Sequence, residues 1–534
     1  MKKRLLVLPM LLLAMVLALA ACSGEKEPAK TTTDTGTESK GTAKEGGKLT
    51  IAVTDNPQVM NPLYANDRIT LTIQQALYAP LYFMGDGGQK KFVLAESFEP
   101  SEDQLTWTLK LKENLKWHDG ESINADDIVF TFNSILDEKQ NSSIRGSLIF
   151  GGKPVKAEKV DDLTVKLTLP QVSASFEGAL TDFFPIPEHV FKDEADLMKS
   201  TKNQSPIGSG PFKFKEFKTD EYVILERFDD YFNGKAKLDQ IVYRIVKDPN
   251  TANISLQNGE VNMRLIDPQD HKKLSDTGKL NMHTFPEGRL FYMAFNLNSE
   301  AVQSKELRQA VAHALDKNEL IQAAFVSSEF AVPAKSVLTP DTMYHTEDLT
   351  TYDYNQDTAK ELLKNGGIKE GHTVRIIYAN NNKIMESLAL YSQQKLQEIG
   401  LKVELTPMDP SAYGQKTLDM ATTDYDISFG GYIMGSEPDV YKTLFQSDAP
   451  YNFARYKNAE FDQLWEKASV ETDKAKREEL YRQIQETVAQ DVPYLPLAYP
   501  KAILAVDKKF GGIEEATPIP ISMVEDLSKI YELE

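Results

Sequence analysis

The chain has 534 residues, 41% apolar and 26% charged, enough for a globular core and, at ~150 residues per unit, for more than one domain. Its net charge of −19 provides no general attraction to nucleic acid or anionic lipid, so no nucleic-acid partner is expected. A single cysteine, Cys22, excludes an intramolecular disulfide and any zinc site built on cysteine pairs.

At the N-terminus, Lys2, Lys3 and Arg4 precede an apolar run over 5–19 that is broken only at Pro9. The small residues Ala20 and Ala21 follow, then Cys22, the layout of a secretory signal peptide over 1–21. The run is shorter than the ~20 residues of a membrane span. Leu19-Ala20-Ala21-Cys22 resembles a bacterial lipobox. That resemblance implies lipidation of Cys22 and an extracytoplasmic protein held to the membrane by its lipid, on the outer face of the cell membrane. Residues 23–47 carry almost no apolar side chain to offset the entropy of ordering, so 22–47 reads as a disordered tether.

From Lys48 onward the composition is globular, with no second linker. Residues 105–112 alternate apolar and polar, which predicts a half-buried strand. Asp119-Gly120 then marks a turn, and Asn124 is placed to cap a helix whose first turn carries Asp126 and Asp127. A second alternating strand follows at 163–169. Leu307, Ala310, Val311, Ala314 and Leu315 follow helical spacing, and a helix through 360–364 stops at Gly366-Gly367. Residues 372–379, 383–399 and 401–406 read as strand, helix and strand, a parallel crossover unit. Two further amphipathic helices cover Phe461 to Trp465 and Leu480 to Val488. The pattern is mixed α/β.

Catalytic signatures are missing. There is no nucleophile elbow, P-loop or His-Glu-x-x-His, and the seven histidines do not pair at helical spacing. No cofactor, no metal and no enzymatic activity are expected.

Seven blocks, in order, resemble the extracellular solute-binding proteins of the oligopeptide, dipeptide and nickel transporter family, family 5. They are WTLKLKENLKWHDGESINADDIVFTFNSIL (107–136), IGSGPFKFKEF (207–217), a block over 225–263, AFNLNSEAVQSKELRQAVAHALDKNELI (294–321), and blocks over 352–367, 393–405 and 477–500. The resemblance implies an α/β, bilobal, periplasmic-binding-protein-like fold of the Venus flytrap type II, in its large three-domain form. Lobe I would use 48–84, 206–291 and 495–534, with an inserted subdomain at 85–205. Lobe II would be 292–494, and crossings near 291 and 495 would form the hinge. It also implies a monomer that captures oligopeptides and delivers them to the transmembrane subunits of an ABC permease. The same fold binding a nickel chelate, haem or oligosaccharide, or serving as a surface peptide sensor, is the alternative.

In peptide-binding members of the family the ligand backbone pairs with protein strands. The stretches that match are Ala65-Asn66-Asp67-Arg68 and Gly430-Gly431-Tyr432-Ile433-Met434. Relatives place an aspartate just after the second stretch to hold the ligand's amino terminus. Here Met434 and Gly435 stand in its place, so either Glu437, Asp439 or Asp67 supplies that charge or the ligand terminus is held elsewhere, and a longer-peptide binder with weak terminal selection is expected. Asn296 is expected either to order the strand near the hinge or to touch the ligand. Trp117, His118 and Asp119 are expected to form a structural turn, and Arg308 and Asp316 to serve helix packing and surface pairing.

Overall fold

The computed structural model describes residues 41–85, 88–181 and 183–534. The segments expected to be signal peptide and tether, with Cys22, lie through residue 40 outside the described residues. Ala43–Lys44 forms a short strand against Tyr531–Leu533, and the amides of Gly46 and Gly47 bond to Lys237 and Asp239. The tether expected over 22–47 therefore ends before residue 43. Main-chain hydrogen bonds supply the order that apolar side chains there do not. Among the described residues no helix is long and apolar enough to cross a membrane.

The body begins with β1 (Lys48–Val53) and α1 (Arg68–Leu77). A separate antiparallel sheet follows, built from β2 (Ala95–Pro100), β3 (Thr106–Leu111), β4 (Lys156–Lys159) and β5 (Thr164–Thr168) in the order β2-β3-β5-β4. Helix α2 (Ala125–Leu136) packs on β4 and β5. Its N-terminus is a capping box: the Asn124 side chain accepts from the Asp126 amide, and the Asp127 carboxylate accepts from the Asn124 amide. Asp127 also accepts from the buried Trp117 indole, which fixes the preceding turn to the helix it introduces.

The same turn is pinned from its other side. His118 Nε2 donates to the Gly210 carbonyl and Nδ1 accepts from the Gly208 amide, each at 3.1 Å. The loop that carries these glycines wraps the end of α1, where Ser209 and Gly210 both donate to the Leu77 carbonyl. A Cβ at Gly208 would fall 1.9 Å from that oxygen, so only glycine fits. Two of the sequence blocks thus meet in one backbone contact, and the expected structural turn is what the structure shows.

The main sheet takes β6 (Phe212–Lys218), β7 (Tyr222–Arg227), β8 (Gln240–Ile245), β9 (Met263–Ile266) and β10 (Leu280–Pro286), with α3 (Pro268–Ser275) between the last two. Next come β11 (Arg289–Phe295), α4 (Lys305–Ala314), α5 (Lys317–Phe325) and β12 (Ala331–Pro333). β13 (Thr373–Ala379), α6 (Lys383–Glu398) and β14 (Lys402–Met408) form the predicted crossover, with β13 and β14 parallel. β15 (Ile427–Ile433), α7 (Ala459–Val470), α8 (Lys474–Asp491) and β16 (Tyr494–Asp507) complete it. The order is β6-β7-β8-β1-β9-β16-β11-β15-β13-β14, with β10 and β12 also on β16, twelve strands among the described residues.

β16 runs through both halves of this sheet. Residues 494–498 pair with β11, and 501–507 pair with β10. The neighbouring strand breaks at Glu287-Gly288, between β10 and β11, where Gly288 has φ +62°. The ladder thus changes partners at 287–288 and at 500, against 291 and 495 read from the sequence. On β11, Phe291, Met293 and Phe295 join one apolar cluster with α4, α5 and α6. Leu290, Tyr292 and Ala294 join a second with α7 and α8. Period-two alternation buries both faces of the strand.

Burial holds the His118 imidazole neutral and lowers its pKa to about 4. The unfolded chain takes up that proton near pH 6.5, so stability from this group is full above pH 6.5 and is lost as the pH falls toward 4. The contribution is at most roughly 3 kcal/mol. Urea midpoints measured from pH 7 to 4 are expected to fall more steeply for the wild type than for His118→Gln.

Candidate functional site

Beside the two crossings the structure contains a cavity of about 430 Å³. Here the Glu287 amide donates to the Pro500 carbonyl, which ties one crossing to the other. The start of α1, the β9–α3 corner and residues 500–503 of β16 line one side. Phe291 of β11, Phe325 of α5, and Asn382 and Ile384 at the start of α6 line the other. The volume is on the scale of a small-molecule site, ~300–1,000 Å³.

Charges of both signs face this space: Arg68, Arg264, Asp267, Glu287, Arg289 and Lys501. Glu287 sits between two arginines, with Oε1 3.2 Å from Arg289 Nε and 3.5 Å from Arg68 Nη2. Arg68 is the first residue of α1, placed there because the Asp67 carboxylate caps the helix through the Thr70 amide and hydroxyl. Its Nη2 is buried with no hydrogen-bond acceptor. Burial lowers the Arg68 pKa, Glu287 opposes that, and Arg289 adds to it. Arg264 donates through Nε to the Leu265 carbonyl and through Nη1 to the Pro249 carbonyl and Asn253 Oδ1. Asp267 precedes α3 without capping it.

The structure distributes the sequence candidates unevenly. Of the first stretch, Arg68 lines the cavity, Asn66 is exposed and Asp67 is spent on its cap. Of the second, Gly431 opposes Phe291, and a Cβ there would meet Phe291 and Arg289 at 3.4 Å, on the cavity side of the strand. Ile433 pairs with Arg289 and is half-buried. Tyr432 points to the opposite face, stacked on Tyr292. With Met434 it lines a separate apolar space of about 10 Å³, too small for a ligand side chain.

Asn296 is fully buried and does not line the cavity; its amide donates to the Thr422 and Tyr425 carbonyls and orders the strand end. Arg308 donates to the Asp491, Val302 and Gln303 carbonyls, and Asp316 caps α5, both in packing roles. Glu437 is buried and holds Arg477 through both guanidinium nitrogens, at 2.7 and 3.2 Å. Burial raises the Glu437 carboxyl, and Arg477 works against the rise. Asp439 accepts from the hydroxyls of Ser175 and Ser469 and from Lys442. Ala174 donates to the Ser469 carbonyl beside it, so residues 174–175 dock directly on the α7 side. Neither carboxylate is available to the cavity.

Sequence reasoning missed Asp267, Glu287 and Arg289. A signal was present for two of them: Glu287 and Arg289 flank Gly288 and interrupt an otherwise apolar run through 295. Among the described residues, no group of three or more His, Cys, Asp or Glu converges to hold a metal ion.

The cavity thus lies at paired strand crossings and is lined from two separately packed halves. Residues 91–453 match the sequence profile "Bacterial extracellular solute-binding proteins, family 5 Middle". Oligopeptide-binding protein AppA of Bacillus subtilis is 32% identical over 534 residues, covering 96% of both chains. The crystal structure of the ABC transporter substrate binding protein CtaP of Listeria monocytogenes is 52% identical, with TM-score 0.90, covering 92% of this chain and 100% of that one. AppA of B. subtilis in complex with a nonapeptide is 27% identical with TM-score 0.76, covering 92% and 100%. The chain belongs to the bacterial extracellular solute-binding proteins, family 5. Its fold is the solute-binding fold of that family, and the family consists of binding proteins rather than enzymes.

Removing Glu437 would leave Arg477 charged and buried. Glu437→Ala is expected to cost about 3–5 kcal/mol, read as a lower urea midpoint. An unchanged midpoint would show that the pair does not anchor this loop.

Proposed function

We propose that this protein captures peptides in the cavity beside the two crossings and passes them to the transmembrane subunits of an ABC importer. The observation that carries the reading is a cavity lined from both halves of the sheet and by charges of both signs. A peptide carries both signs itself, and its backbone needs donors and acceptors that apolar walls lack. The names of similar proteins support the choice: AppA is an oligopeptide-binding protein, and its structure holds a nonapeptide.

The lobes are proposed as 48–84, 206–291 and 495–534 for the first, with 85–205 inserted, and 292–494 for the second. The strands at 287–288 and 500 act as the hinge between them. The lipid on Cys22 would hold a monomer at the outer face of the membrane, where the permease is reached by diffusion in two dimensions.

Native mass spectrometry of residues 23–534, purified without refolding, tests the reading. A ladder of co-purified peptide masses is expected. A single non-peptide mass would overturn it. Arg68→Ala is expected to weaken peptide binding by tenfold or more, in line with the ~1.5–3 kcal/mol of a hydrogen bond to a charged group. Calorimetric titration of wild type and variant with the recovered peptides measures that loss.

A further inference from the structure

We propose that Asp267 holds the free amino terminus of the captured ligand, an assignment that rests on the peptide reading above. An ammonium enclosed in the cavity needs a carboxylate partner, because its hydration is lost on closure. Each carboxylate that the sequence offered is already committed. Asp67 caps α1. Glu437 is bound to Arg477, and Asp439 to two hydroxyls and a lysine.

Two acids remain along the cavity wall, Asp267 and Glu287. Glu287 is shared by Arg68 and Arg289, which leaves it no unpaired charge. Asp267 differs. It stands at the N-cap position of α3, yet its side chain accepts none of the helix amides. No hydrogen bond or ion pair within the described residues engages its carboxylate, although its own main-chain carbonyl accepts from the Asp270 amide. Arg264, whose charge opposes the rise, turns Nε and Nη1 to two carbonyls and Asn253 and makes no ion pair with Asp267. Asp270, one turn on, is occupied by the Asn253 amide.

The electrostatics point the same way. Burial raises the Asp267 carboxyl, and Asp270 and Glu287 add to the rise while Arg264 opposes it. Asp267 therefore carries a charge that its surroundings leave under-compensated. A ligand ammonium beside it relieves both the desolvation and the repulsion. An acetylated terminus has no charge to offer and leaves the carboxylate as it was. The anchor then comes from the β9–α3 corner instead of the end of β15. The direction of the ligand follows, with its amino end toward α3.

The test uses degenerate peptides of three to nine residues without lysine or arginine, made with free and with acetylated amino termini. Their affinities are compared by native mass spectrometry for wild type, Asp267→Asn and Asp270→Asn. The wild type and Asp270→Asn are expected to prefer the free termini by tenfold or more. Asp267→Asn is expected to bring the two within about twofold. Equal binding of both sets by the wild type would overturn the assignment, as would an Asp267→Asn protein that keeps the preference. A wild type that binds neither set overturns the peptide reading itself, and the assignment with it. Asp267→Glu, which restores the charge, is expected to recover the preference, so a folding defect in Asp267→Asn does not hide the answer.

Discussion

The fourteen-residue strand β16 is the constraint on which the architecture depends. It is hydrogen-bonded to β11 at one end and to β9 and β10 at the other, so both halves of the sheet share one backbone. Residues 494–506 of this strand are buried apart from Lys501, which reaches the cavity beside the exchange of partners. Main-chain groups inside a sheet must be paired, and a strand can exchange partners only where the ladder allows a break. The break at Gly288 lies against that at Pro500, and the cavity opens beside them. The position of the site thus follows from where two strands change neighbours.

Much of the fold was legible in the sequence because it is specified locally. The alternation at 105–112 and 163–169 became β3 and β5, paired residue for residue. Asn124 with Asp127 is a capping signal that needs no knowledge of the rest of the chain. The strand-helix-strand unit over 372–406 declared its parallel pairing through the length of its connection. The crossings were read a few residues away from the ladder breaks. The apolar run 494–506, broken only by Lys501, continues through the break at 500, and hydropathy alone cannot mark a change of partner.

The site was less legible, for a physical reason. Arg68 was found because it belongs to a motif, but the groups around it come from positions more than 450 residues apart, as with Ile69 and Met523. Tyr432 and Gly431 are adjacent in sequence yet face opposite sides of β15, and nothing in a two-residue stretch says which side is the cavity. Glu437 and Asp439 have the composition of ligand anchors and the surroundings of structural ones. Their partners Arg477, Ser175 and Ser469 are distant in the chain. Free carboxylates are identified by the absence of neighbours, and absence is a tertiary property.

The contact of residues 174–175 with Asp439 and Ser469 bypasses both crossings. If the halves swing about 287–288 and 500 as proposed, this contact breaks whenever the cleft opens and forms whenever it shuts, with or without cargo. It therefore biases the resting balance between the two states. A stronger bias would hold the empty clamp closed and shut cargo out, while a weaker one would make each captured molecule supply all of the closing free energy itself. Apparent affinity scales with the fraction of protein poised to bind. One hydroxyl and one main-chain amide, reaching across to Asp439 and Ser469, would in this way set the concentration of cargo at which the clamp begins to respond.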